Sequence, residues 1–403
     1  MVSDLVPAIK NSDVFNYFKL RGSVASTARS GAPYNNQSIF EQNIGSGGGW
    51  RYGFTNANPL LTPEQQSTYE FGTELRFFGN RLNIDATYYH TKNKNLIVEL
   101  FRTSYGTGFV LNTLNVGSNE NKGIEIAVDA TPIRSSNFTW TTRLNFNRMR
   151  NEVTSLPANV PEFYISDTWL FGNARGGLVV GGSTTSITAY GYARNDAGSI
   201  LISPTTGLPI IDQTFKIRGD RNPDFTLGWL NNLSYKNLRI SMLWDLKVGG
   251  DIFNGTEMYL AARGRSLFTE DRLTPRVIQG VLQDGLQNTA NPTVNNISIT
   301  PYYNQNYYTT MPEEEYIQKD VNWFRLRDLT MSYNFGKLRS INFIRTLGAF
   351  VTINDLVLIT NYSGADPAVS GVGAGSRGVG AFGFDFGNVG TPVSVNIGIR
   401  ANF

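Results

Sequence analysis

From Val393 to the last residue the chain alternates without interruption. Val393, Val395, Ile397, Ile399, Ala401 and Phe403 hold the odd positions; Ser394, Asn396, Gly398, Arg400 and Asn402 hold the even ones. Strand side chains point alternately to opposite faces, so a period of two describes a strand with one apolar and one polar face. It excludes a helix, whose apolar residues recur every three or four positions. The same alternation recurs upstream. Phe18, Leu20 and Val24 are interleaved with Lys19, Arg21 and Ser23; Tyr69, Phe71, Leu75 and Phe77 with Glu70, Gly72 and Arg76. Leu82, Ile84, Ala86 and Tyr88 face away from Asn83, Asp85 and Thr87. Ile124, Ile126 and Val128 oppose Glu125 and Asp129, and Phe138, Trp140, Leu144 and Phe146 oppose Arg143, Asn145 and Asn147. Phe225, Leu227, Trp229 and Leu233 follow, then Leu238, Ile240, Met242, Trp244 and Leu246 against Arg239, Ser241, Asp245 and Lys247. In "VNWFRLRDLTMSYNF" the phase changes between Leu326 and Leu329, which predicts a β-bulge near Arg327 and Asp328. Leu347, Ala349, Val351 and Ile353 complete a set of about ten strands.

The connections constrain the fold further. Segments 79–81, 133–137, 236–237 and 336–346 are short joints, whereas 28–67, 99–118, 152–223, 254–321 and 359–390 are long. Short and long alternate strictly. In an antiparallel up-and-down sheet every short turn then falls at one end and every long loop at the other, the asymmetry of transmembrane β-barrels. Strands of about ten residues rising ~3.3 Å each, tilted by ~45°, match the apolar band of an outer membrane. A soluble sandwich also alternates, but its strands are shorter and its loops mixed at both ends.

Composition narrows the chemistry. The chain has no Cys and a single His, His90, which excludes thiolate chemistry and most His-centred metal sites and triads. A net charge of +3 gives no footprint for nucleic acid. Aromatics reach 12% and charged residues only 17%, which favours β-structure with large apolar and interfacial surfaces. "GAGSRG" (373–378) fits G-x-G-x-x-G but lacks the flanking strand and helix that a dinucleotide site requires, so it reads as a glycine-rich loop. The acids of "PEEEY" (312–316) read first as a solvated loop face and only second as a Ca²⁺ site. No nucleophile–base pair, phosphate loop or metal cluster stands out. The expectation is a non-enzyme without cofactor or metal.

Several stretches, in order, resemble barrel segments of SusC/RagA-type TonB-dependent transporters. They are "FNYFKLRGSVAST" (15–27), "NPLLTPEQQSTYEFGTELRFFGNRLNIDATYYH" (58–90), "NVGSNENKGIEIAVDATPI" (115–133), "RGDRNPDFTLGWLNNLSYKN" (218–237), "NWFRLRDLTMSYNF" (322–335) and "VTINDLVLITNYSGADPAV" (351–369). The closing "SVNIGIRANF" resembles the last strand of outer-membrane barrels, whose final aromatic marks them for assembly, here Phe403. The resemblance implies an all-β, antiparallel, up-and-down barrel in a bacterial outer membrane, with these residues forming about the last ten of 22 strands. It implies import of oligosaccharide or peptide cargo driven by TonB, with a SusD-like surface lipoprotein as partner. On that reading residues 1–403 are a C-terminal portion, or half of a split barrel. The plug, the TonB-contacting part, the signal sequence and the first strands would lie outside it. A passive porin, or a soluble β-rich carbohydrate-binding module, is the alternative.

Candidate residues follow from the faces. Asp85, Glu125, Asp129, Arg143, Asp245 and Lys247 are expected to line a polar lumen. The strand-end aromatics Tyr88, Tyr89, Trp140, Trp229, Trp244 and Trp323 suit interfacial girdles. Trp50, Tyr302, Tyr303, Tyr307 and Tyr308 lie in long loops and are the candidates for cargo or partner contact.

Overall fold

The computed structural model describes residues 2–10, 12–42, 48–53, 55–102, 109, 111–158, 160–166, 172–304, 306–336, 344–369 and 382–403. "GAGSRG" (373–378) lies outside the described residues. Ten long strands form one sheet: β1 Phe15–Arg29, β2 Glu64–Phe77, β3 Leu82–Lys94, β4 Ser118–Arg134, β5 Phe138–Ser155, β6 Phe225–Tyr235, β7 Leu238–Val248, β8 Trp323–Gly336, β9 Thr346–Thr360 and β10 Ser394–Asn402. Their order in the sheet is their order in the sequence. The pairings β1–β2, β2–β3, β3–β4, β6–β7, β7–β8, β8–β9 and β9–β10 are antiparallel, as an up-and-down meander requires.

The chain divides into two compact units: Met1–Pro132 with Arg143–Phe163 and Val179–Thr184, and Ile133–Thr142 with Tyr164–Leu178 and Thr185–Phe403. In the first, registers align Gly22, Phe71, Tyr88 and Ile124 in one row and Arg21, Gly72, Thr87 and Glu125 in the next. Because neighbouring residues point to opposite faces, these rows separate an apolar from a polar face. In the second unit Leu233, Ile240, Met331, Val351 and Ile397 share a row. The apolar face is uncovered: Val24 is 76% exposed and Ile397 81%. A soluble sheet of this size would bury that face in a core, as sandwiches do.

The expected bulge is present. Leu243 faces Asp328 and Trp244 faces Leu326, which leaves Arg327 as the extra residue. On the other side Leu326 pairs with Val357 and Asp328 with Asn354, so Asp355 and Leu356 sit opposite Arg327. Asp355 takes a left-handed φ of 53°, the local strain that lets β9 follow the bend. The short turn after β2 depends on the same region of backbone space, with Phe78, Gly79 and Asn80 all at positive φ.

Two tryptophans on neighbouring strands hydrogen-bond across their shared edge. The Trp140 indole donates to Asn231 Oδ1 at 3.0 Å, satisfying a buried amide that falls in the apolar phase of β6. The Trp229 indole donates to Thr142 Oγ1 at 2.8 Å. Trp244 stacks on Phe324 with centroids 4.6 Å apart. Trp323 differs from the expected girdle role. It pairs with Lys247 in register, in the polar phase, and carries the Lys247 ammonium 4.7 Å from its ring centroid. Counting its position relative to the strand end placed it near an interface, but period-two phase decides the face, and that face is polar.

The long loops of the second unit build a core of their own. A four-stranded sheet (Phe163–Ser166, Ala174–Leu178, Ser186–Tyr192, Ile211–Asp220) and the helix α1 Gly255–Ala262 belong to these connections. Within the second unit Ile187, Ala189, Phe253 and Phe384 are wholly buried, together with Tyr192, Met311 and Tyr316. Asn254 caps α1 by accepting from the Glu257 amide at 2.8 Å. Loops of this length are therefore folded elements here.

Candidate functional site

The polar face of the strands is charged, and most of its charges are matched. Asp85 accepts from Arg21 Nη1 at 2.7 Å, and Thr87 shares the same guanidinium. Asp129 accepts from Arg143 Nη2 at 3.0 Å. Glu125 is exposed opposite Thr87. In the second unit Asp245 accepts from Arg327 Nη2 at 2.8 Å, beside Trp323 and Lys247. The six face residues expected from the sequence thus fall in one phase within each unit. Four of them are held in cation–carboxylate pairs.

A hub that sequence reading missed lies at the bulge. Arg325, 1% exposed, donates to Asp355 Oδ1 at 3.1 Å and to Asp366. Asp366 also accepts from Thr391 Oγ1 at 2.6 Å and from the Ala368 amide at 2.9 Å. Burial pushes the Asp366 carboxyl upward, but the bonds from Thr391, Ala368 and Arg325 outweigh it and hold it at about 2. The connection before β10 is thereby tied to β8 and β9 through ionic bonds. The signal was there, since Arg325 and Arg327 flank the phase change, but a strand pattern does not say which loop carboxylate returns to meet them.

The loop aromatics divide. Trp50 is exposed, as are Tyr302 and Tyr303, whose rings meet edge to face at 5.3 Å. Tyr307 and Tyr308 instead pack against the loop core, also edge to face at 4.7 Å. The acids of 312–316 are engaged in the fold. Glu313 is buried and accepts from the Asn173 amide at 2.6 Å; Glu314 pairs with Arg194 and Arg218 at 3.0 and 3.1 Å. Burial raises the Glu313 and Glu315 carboxyls. Among the described residues no cluster of three or more acidic or imidazole side chains is arranged to hold a metal ion. His90 Nε2 lies 2.8 Å from Glu120 Oε2 across β3 and β4.

Residues 7–254 match the family described as TonB dependent receptor-like, beta-barrel. TonB-dependent receptor P3 of Formosa agariphila is 28% identical over 385 residues, covering 89% of this chain and 36% of that protein. TonB-dependent receptor SusC of Bacteroides thetaiotaomicron is 24% identical over 338 residues, 79% of this chain and 31% of that protein. Among solved structures, the RagAB peptide transporter superposes with a TM-score of 0.69 at 19% identity, over 98% of this chain and 42% of that one, which shows a shared fold. The chain spans about a third of the length of these two curated relatives.

Proposed function

Since the chain belongs to the TonB-dependent receptor-like β-barrel family, and is of the SusC/RagA type, we propose that it forms the C-terminal part of the barrel of an outer-membrane importer. On this reading the apolar face meets lipid and the polar face lines the passage. The tight turns lie in the periplasm and the long loops outside. The observation that carries the proposal is the uncovered apolar face of an uninterrupted ten-strand meander, backed by a polar face of paired charges. Uptake is non-catalytic and energised through TonB, which acts on a part of the protein outside these residues. Oligosaccharide or peptide is the proposed cargo, with Trp50, Tyr302 and Tyr303 on the exposed loops as first contacts. A SusD-like lipoprotein is the proposed partner over those loops. Phe403, 73% exposed at the periplasmic rim, serves as the assembly signal.

The absence of cysteine from the sequence makes the test clean. Single cysteines at Tyr302 and at Ser135 are labelled with a membrane-impermeant maleimide in intact cells. Labelling at Tyr302 and protection at Ser135 until the outer membrane is opened support the orientation. A protein recovered in the soluble fraction without detergent refutes it. Uptake that persists after collapse of the proton-motive force favours a passive porin instead.

A further inference from the structure

At the tight-turn end of β7–β10 the polar face departs from its own rule. Elsewhere on that face Arg21, Arg143 and Arg327 each sit on a carboxylate. Here a cavity of about 630 Å³ is lined by Lys236, Arg239 and Arg400 and by no acidic residue. Lys236 leans on the Tyr235 ring at 5.5 Å, and among the described residues none of the three cations has a carboxylate partner. All three are exposed. The acid next along β8, Asp328, accepts from Thr330 at 2.9 Å and lies outside the lining.

The rest of the cavity wall is neutral, with hydrogen-bonding groups that include Ser332 and Asn334 and with two aromatics, Tyr333 and Phe350. The Phe350 ring lies over Gly398, where any side chain would collide with it, so the glycine leaves room for an apolar seat between the cations. Arg239 and Arg400 stand three strands apart, roughly 14 Å at the usual strand spacing. That separation is too wide for one small anion to satisfy both at full reach. It matches carboxylates about four residues apart on an extended peptide, at ~3.3 Å per residue.

We propose that this cavity binds an acidic polypeptide segment, with Arg239 and Arg400 each taking a side-chain carboxylate, Lys236 adding charge at the rim, and Phe350 seating the apolar part between them. Exposed guanidiniums lacking an acid are the groups that gain most from a carboxylate in fork geometry. The neutral amides and hydroxyls of the floor suit a peptide backbone better than a uniform polyanion. The location at the periplasmic mouth rests on the orientation proposed above; the binding does not.

The test uses the purified chain in detergent micelles and fluorescein-labelled hexa-glutamate, read by fluorescence anisotropy. Saturable binding is expected, weakened by salt. R239Q/R400Q should lose about tenfold or more in affinity, and R239K/R400K much less. In R239E/R400E the preference should invert, so that labelled hexa-lysine binds and hexa-glutamate does not; this arm holds even if the neutral variant is poorly folded. Binding unchanged in R239Q/R400Q overturns the proposal. So does equal affinity for inorganic phosphate, which would mark a small-anion site, or tighter binding of a sulfated oligosaccharide. Because the readout is binding in micelles, it stands apart from the cysteine-labelling result on orientation.

Discussion

Ile397 in β10 and Ile187 in the loop sheet are the same side chain in opposite settings: the first is 81% exposed, the second 0%. The two regions of the molecule differ in just this way. The strands turn their apolar residues outward and pair their charges on the other face. The loop core turns Phe253, Phe384 and Ile187 inward and uses its acids as structural acceptors. At ~25 cal/mol per Å² the burial of apolar area stabilises the loop core in water unaided. The outward rows of the sheet gain nothing until lipid or detergent covers them. One region carries its own core; the other borrows its surroundings.

That contrast can be broken by substitution. Phe253→Ala should cost the loop core about 3–5 kcal/mol, the range for emptying a buried aromatic site. Limited proteolysis should then open the loop stretches 172–220 and 254–321 while heat-modifiable gel mobility, which reports the strands, stays. Met242→Arg in the apolar row should cost about 2–4 kcal/mol in bilayers, against little for Asn145→Arg in the polar phase. Refolding titrations in lipid vesicles measure both, and equal tolerance would show the phase to be misassigned.

The joint between the regions responds to acid. The Asp366 carboxyl is held at about 2 against an ordinary value near 3.8, so its stabilisation, roughly 2 kcal/mol, is present above pH 4 and lost as pH falls through about 2. Protease sensitivity of the 361–369 and 382–393 segments should rise in that window in wild type, whereas Asp366→Asn should be sensitive at neutral pH and flat across it. The smallest effect belongs to the Trp140–Asn231 pair. Trp140→Phe strips Asn231 of its donor and should cost about 1 kcal/mol, measured by the same vesicle titration.

The sheet was legible because period two is a local property. Every strand phase, the Arg327 bulge and the alternation of turn and loop follow from neighbouring residues. The Arg325–Asp366 bond was not legible, since 41 residues separate the partners and no pattern in either segment names the other. The loop core was hidden for a related reason. Its strands are short and buried on both faces, as in Ser186–Tyr192, so they do not alternate cleanly. The helix there starts at Asn254, whose side chain accepts from the Glu257 amide three residues on. The loop tyrosines show the limit at a single position: Tyr303 is exposed while Tyr307 packs inward, and composition does not separate them.

The central claim is that the apolar face of the strands meets lipid. Spin labels on single cysteines from Val395 to Arg400, in a chain with no cysteine of its own, test it most directly in reconstituted vesicles. Oxygen accessibility should peak at Val395, Ile397 and Ile399, and polar nickel-chelate accessibility at Asn396, Gly398 and Arg400. Nickel-chelate access that is high and without alternation along the whole strand would contradict the account.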